Sequence, residues 1–234
     1  ASLDEAARAA LKIDTGPFLT GPIGLGLTYA VGWNDDAAGA AELDLTGAEL
    51  SLDPFGWTKP RGVAGNAFVE FLVRDDTLTS IPVIRVAADD LQVAGAGLFR
   101  PGPDGPNLQR LTLEKLAFGG TDVFLNVEMP EGVPPIISIG GNAIDLRPVM
   151  DGLFDGGDDE DSTPAMQIVV SKESPLSEVR LGEETRLLGA YGTLVNDGTN
   201  WSDVLLRGSL SNGGRIFLSV APQGEVRKVN FESD

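Results

Sequence analysis

The stretch Ile23-Gly24-Leu25-Gly26-Leu27-Thr28-Tyr29-Ala30-Val31-Gly32-Trp33 places a large apolar side chain on every second residue. Successive side chains of a strand point to opposite faces, so this spacing gives one apolar face and one face of small or polar groups. The same period returns at Leu43 and Leu45, at Leu50 and Leu52, at Val123, Leu125, Val127 and Met129, and at Val204 and Leu206. Turn formers punctuate the runs: Asn34-Asp35-Asp36, Pro101 to Gly105, Gly119-Gly120, Asn196-Asp197-Gly198, Asn212-Gly213-Gly214 and Pro222-Gln223-Gly224. Short alternating runs separated by such turns predict a mainly β, antiparallel meander. Two runs are less regular. Phe68, Val69, Phe71, Leu72 and Val73 put apolar groups on both faces, as does the stretch from Ile81 to Val86. They predict burial on both sides, or a sheet face covered by the terminal helix.

Helix is expected in two places only. Ser2-Leu3-Asp4-Glu5 reads as a capping box in front of Leu3, Ala6, Ala7, Ala10 and Leu11 at helical spacing. Pro148, followed by Val149, Met150, Leu153 and Phe154, reads as a short second helix stopped by Gly156-Gly157. The run from Asp155 to Ser162 is acidic and lacks apolar residues, which predicts a mobile linker. It divides the chain into 1–154, the acidic linker 155–162, and a continuation of the meander over 163–234. A loose repeat of one hairpin unit links Asp90–Leu113 with Leu205–Phe231, and repeated hairpins favour an elongated, growing sheet.

The chain has 234 residues, 42% of them hydrophobic, which is ample for a core; the length suits one large β domain or two smaller ones. Lys and Arg number 17 against 35 Asp and Glu, a net charge of −18. With no basic cluster, a nucleic-acid partner is not expected. There is no His and no Cys, which removes imidazole bases, thiol nucleophiles and their metal sites. Asp35-Asp36 and Asp89-Asp90 read as turn residues rather than paired catalytic carboxylates. Gly24, Gly26 and Gly32, like Gly95 and Gly97, precede no helix and so read as strand glycines rather than a phosphate loop. Ser171-Lys172 is a formal nucleophile-base pair whose members alternate in facing. The acidic run lacks the ligand spacing of a calcium loop. No enzyme activity, cofactor or metal is expected. Trp33, Trp57 and Trp201 could stack on sugars, and more readily close the ends of an apolar face.

Taken in order, the segments Gly21-Pro22-Ile23-Gly24-Leu25-Gly26-Leu27, Ala41 to Leu50, Gly56-Trp57-Thr58-Lys59-Pro60, Leu91 to Gly95, Leu111 to Asp122, Gly141 to Val149 and Leu176 to Gly182 resemble the C-terminal region of the AsmA-like family of Gram-negative bacteria. The resemblance implies a curved, groove-like β-sheet with an apolar concave face. It also implies a periplasmic setting, in a protein held in the inner membrane by an anchor outside this fragment. The implied work is phospholipid transport or outer-membrane biogenesis, without catalytic residues, on phospholipid acyl chains and possibly with envelope assembly proteins. The chain begins Ala1-Ser2 without Met and is read as a segment of something longer. Independently of the family, an apolar face larger than two short helices can cover must pack on another sheet, on itself, or hold an apolar ligand. The residues expected to line it are Leu25, Leu27, Tyr29, Leu43, Leu45, Leu111, Leu113, Val123, Leu125 and Val127. The competing readings are a scaffold domain that pairs through sheet edges, and a glycan-binding β-sandwich.

Overall fold

The computed structural model describes residues 2–10, 16–32, 36–103, 105–148, 165–198, 201–211, 213–223 and 226–233. The chain is mainly β and meander-like, and forms two compact units, Ala1–Gly119 and Gly120–Asp234. The acidic run 155–162 falls within the range of the second unit and outside the described residues.

In the first unit the main sheet consists of β1 (Ser2–Leu3), β3 (Ile23–Val31), β4 (Ala37–Asp44), β7 (Gly65–Arg74), β8 (Thr77–Ala88), β9 (Leu91–Arg100) and β10 (Asn107–Phe118), in that spatial order. All these pairs are antiparallel. Asp75 and Asp76, with φ of 47° and 55°, make the tight turn from β7 to β8. A second, three-stranded sheet is formed by β2 (Leu19–Thr20), β5 (Glu49–Leu52) and β6 (Trp57–Lys59). Its last two strands are an insertion between the neighbours β4 and β7. The neck of that insertion is closed by the Leu45 amide donating to the Gly65 carbonyl at 2.8 Å.

The N-terminal helix α1 (Glu5–Ala10) differs from expectation at its start. Ser2 and Leu3 are taken up by pairing with Gly24 and Ile23, so the cap moves to Asp4, whose Oδ1 accepts from the Ala7 amide at 2.8 Å. Glu5 does not reach back to Ser2. Its Oε1 accepts from the Gly21 amide at 3.0 Å, while Arg8 donates to the carbonyls of Gly21 and Leu3, docking the helix beside β1. Nor is the run Phe68–Val73 sealed on both faces: Leu72 is exposed and Phe68 only half-buried.

The second unit runs β11 (Thr121–Glu128), β12 (Ile136–Asp145), β13 (Met166–Val170), β15 (Arg186–Asn196), β16 (Trp201–Leu210), β17 (Arg215–Gln223) and β18 (Val226–Ser233), with β14 (Leu176–Arg180) between β12 and β15 beyond the end of β13. The antiparallel meander is interrupted here, because β13 and β14 both run parallel to β12. A parallel pair needs a crossover of a dozen or more residues, and the stretch 146–165, which contains the acidic run, is that crossover. Arg147 and Pro148 are helical; the remainder of the expected second helix lies outside the described residues. The turn expected at Pro222 is displaced, since β17 continues through Pro222 to Gln223.

The pairing of Ile136 with Gln167 fixes what the crossover must span. It has to return along β12 from Asp145, a distance of roughly 33 Å. Deleting 155–162 leaves enough chain to reach roughly 40 Å. We therefore expect that deletion to shift stability by no more than about 0.5 kcal/mol, the change in loop-closure entropy. Urea unfolding checks this, and loss of the cooperative transition would refute it. A longer deletion leaving five residues, which reach only roughly 20 Å, should abolish the parallel pairing.

Asp145, where the chain leaves β12, accepts from Arg147 Nε at 2.9 and 3.1 Å. This hydrogen bonding holds its carboxyl below the usual carboxylate range, with the nearby Arg180 charge acting in the same direction. A group whose folded pKa is depressed adds stability above its unfolded pKa of about 4, and that stability is lost as pH falls through the folded value. Asp145→Asn should lower the thermal midpoint at pH 7, and the gap from wild type should close at pH values well below 4.

Candidate functional site

Residues paired directly across strands share a face, so the register maps the two faces of the first unit. Leu25 lies opposite Leu43, then Ala67, Val86, Val93 and Leu116 follow across the sheet. The next row is Leu27, Ala41, Val69, Ile84, Gly95 and Leu113. Beyond it come Tyr29, Gly39 and Phe71, with Ile81, Gly97 and Leu111 continuing on the far strands. The opposite face reads Gly26, Glu42, Phe68, Arg85, Ala94 and Lys115. One face is thus aliphatic and aromatic over six strands, and the other mixes the charged Glu42, Arg85 and Lys115 with small and apolar residues.

Glycine has a defined part on the apolar face. The ring of Phe71 lies over Gly39, where a Cβ would come within 2.3 Å of it, and Phe71 stacks on Tyr29 with centroids 6.3 Å apart. Gly95 likewise leaves room for Leu113, whose Cδ2 a Cβ would approach to 2.7 Å. Pro82 stands in β8, an interior strand, where its missing N–H would break a regular ladder. The register shifts there against β9, between Ile81 and Ile84, so the proline occupies a bulge and the isoleucines keep the same face.

The apolar face is covered at one end and open at the other. The small sheet of β2, β5 and β6 caps the end near Ile23. Trp57, Leu50 and Ala48 pack there with Ile23, Leu45, Leu91 and Phe118. The Phe118 ring meets Phe55 edge-on at 5.5 Å and Trp57 at 6.1 Å. Asp90 locks the cap in place, one carboxylate oxygen accepting from Trp57 Nε1 and the other from the Gly119 amide, both at 2.7 Å. Lys59 is wholly buried, and its Nζ donates to the carbonyls of Ala48 (2.7 Å), Val63 (3.0 Å) and Pro60 (3.2 Å). Burial pushes this ammonium down, against the pull of Asp44 and Asp89. Past the cap the cover ends. Along β3, Ile23 is 6% exposed, whereas Leu27, Tyr29 and Val31 on the same face are 60%, 56% and 61% exposed.

The ten residues singled out from the sequence therefore divide. Leu25, Leu27, Tyr29, Leu43, Leu111 and Leu113 share the apolar face of the first unit. Leu45 is core beneath the cap. Val123, Leu125 and Val127 belong to the second unit. There Val127 begins a row of its own through Ile137, Ile168, Leu194 and Val204, which the register carries on to positions 220 and 229. Val123 is buried, and Leu125 and Val127 are half-buried. Trp57 is a core residue of the cap; Trp33 lies outside the described residues. Ser171 Oγ donates to Glu173 Oε2 at 2.5 Å within a bend, and the adjacent Lys172 is exposed. Asp90 and Lys59 were not singled out as structural anchors. Asp90 reads as a turn residue, and Lys59 finds its partners in backbone carbonyls that no side-chain pattern encodes.

Fold and site together define a β-meander protein with an open apolar face stoppered at one end. The chain has no match among protein-family models, curated proteins or solved structures.

Cap and open face should respond differently to truncation. Trp57→Ala should cost about 3–5 kcal/mol, the range for large aromatics removed from a core. Leu27→Ala should stay within about 0.5 kcal/mol, as at ordinary surface positions. Equal losses in urea unfolding would mean that the open face is buried in solution.

Proposed function

We propose that this chain is a non-catalytic, lipid-holding segment of an AsmA-like envelope protein, with acyl chains lying on the apolar face beyond the cap. The setting that goes with this reading is the periplasm, with the membrane anchor outside these residues and the work being phospholipid transport or outer-membrane biogenesis. One observation carries it: the face sealed over Ile23 continues, on the same strand, into exposed Leu27, Tyr29 and Val31. A large exposed apolar patch is costly in a solitary soluble domain and marks a binding surface. Each methylene that such a face removes from water contributes about 0.8 kcal/mol. The order of segments resembling the AsmA-like family supports the choice of lipid over another apolar ligand. Burial of Trp57 takes that indole away from sugars and weakens the glycan reading. The scaffold reading retains one supporting feature, the uncharged outer strand β3.

A photoreactive phenylalanine analogue at position 29 should crosslink to phospholipid in cell envelopes, and the same analogue at position 42, on the opposite face, should not. Leu27→Asp should reduce the crosslink at position 29 several-fold while the thermal midpoint moves by only a few degrees, because the carboxylate stays hydrated at an exposed site. Equal lipid recovery from the two positions, or none from position 29, would refute the proposal.

A further inference from the structure

We infer that the outer edge of β3, from Gly26 to Val31, is a docking edge for an extended segment of another polypeptide in which apolar and basic residues alternate. On one side β3 pairs with β4 from Gly24 to Val31, without a register shift. On its other side, among the described residues, the paired strand is β1, which covers Ile23 and Gly24 only. Native sheets guard such edges with charge, proline or a bulge. Ile23 to Val31 contains no charged residue and no proline, whereas β18, the last strand of the second unit, contains Arg227, Lys228 and Glu232. An edge that is regular, uncharged and flanked by exposed apolar groups is the kind that accepts an added strand.

The two faces of β3 set the chemistry of that strand. On the apolar face, Leu27, Tyr29 and Val31 are more than half exposed, and every second residue of an incoming strand would lie beside them. On the other face β3 offers only Gly26, Thr28 and Ala30. Behind Gly26 stands Glu42, and behind Thr28 and Ala40 stands Glu70, both exposed. The bare glycines leave a hollow of about 550 Å3 bordered by Gly24, Gly26, Glu42, Asp44 and Asn66. Hydrogen bonding by Thr46 holds the Asp44 carboxyl below the usual carboxylate range. Lysine or arginine side chains from the added strand would extend over these small residues to the carboxylates, and acidic ones would be repelled. The net charge of −18 acts in the same sense. Lipid on the apolar face is not required for this interaction.

The test uses the whole chain and labelled nonapeptides of alternating leucine and lysine, read by fluorescence anisotropy and by hydrogen exchange. The leucine-lysine peptide should bind at least tenfold more tightly than its leucine-glutamate counterpart and than a scrambled peptide of identical composition, and amide exchange should slow over residues 26–31. N-methylation of alternate peptide amides provides the decisive control. Methylating the set that faces β3 should cost at least tenfold in affinity, and methylating the other set should cost little, because only one set can bond to a single edge. Equal binding of the two methylated peptides, equal binding of the scrambled peptide, no binding at millimolar concentration, or protection elsewhere in the chain would each overturn the inference. So would self-association of the chain through residues 26–31 in the absence of peptide, which would make a second copy the occupant.

Discussion

Face parity is the constraint on which the structure depends. Each strand of the first unit must present its apolar residues on one side for six strands in succession, and a single unmatched residue would turn every following side chain over. Bulges absorb the extra residues. Leu113 and Leu116 are three apart, which an ideal strand would send to opposite faces, yet a shift at Glu114 leaves both facing inward and turns Glu114 out to solvent. Pro82 does the same for Ile81 and Ile84. Without these corrections the apolar face would break into patches, and the cap would have no continuous surface to close.

The cap in turn depends on groups that are not apolar. Lys59 is enclosed because three carbonyls receive its ammonium, and Asp90 is placed to receive both an indole and a backbone N–H. Removing one partner from such a set leaves the others buried and unsatisfied, which costs more than the bond itself. The stopper at the Ile23 end is thus a polar lock around an aromatic plug. Among the described residues the opposite end has neither, and the transition takes place within one nine-residue strand.

Much of this was legible in the residues. The alternation from Ile23 to Val31 gave the strand and its faces, and Pro101 to Gly105 gave a hairpin. What alternation could not disclose was register. Phe68 to Val73 looked two-faced, and the pairing shows Val69, Phe71 and Val73 on one side with Phe68 and Leu72 on the other. The parallel pairing of β12 with β13 left no trace, because a strand with one apolar face has the same pattern whichever way its neighbour runs. Ser2 made a good helix cap in isolation and lost that part to a sheet edge, a tertiary demand that local spacing does not contain. For the apolar face, membership followed from period, whereas exposure did not: Leu45 and Leu27 carry the same signal, and only the inserted strands β5 and β6 decide which is covered.

The crossover between β12 and β13 bears on how the chain acquires this structure. In the first unit, β7 to β10 join successive neighbours, so each can zip from its own turn in microseconds. In the second unit, the lane beside β12 is filled by two short strands, β13 and β14, that arrive only after some twenty residues of intervening chain have closed. Until then β12 and β15 each present an unsatisfied edge. Non-local closure of this kind slows folding relative to hairpin formation, and it leaves the second unit exposed to mispairing for longer than the first. The acidic, apolar-free run 155–162 within that crossover suits that interval, since it neither competes for the open lane nor recruits another chain into it.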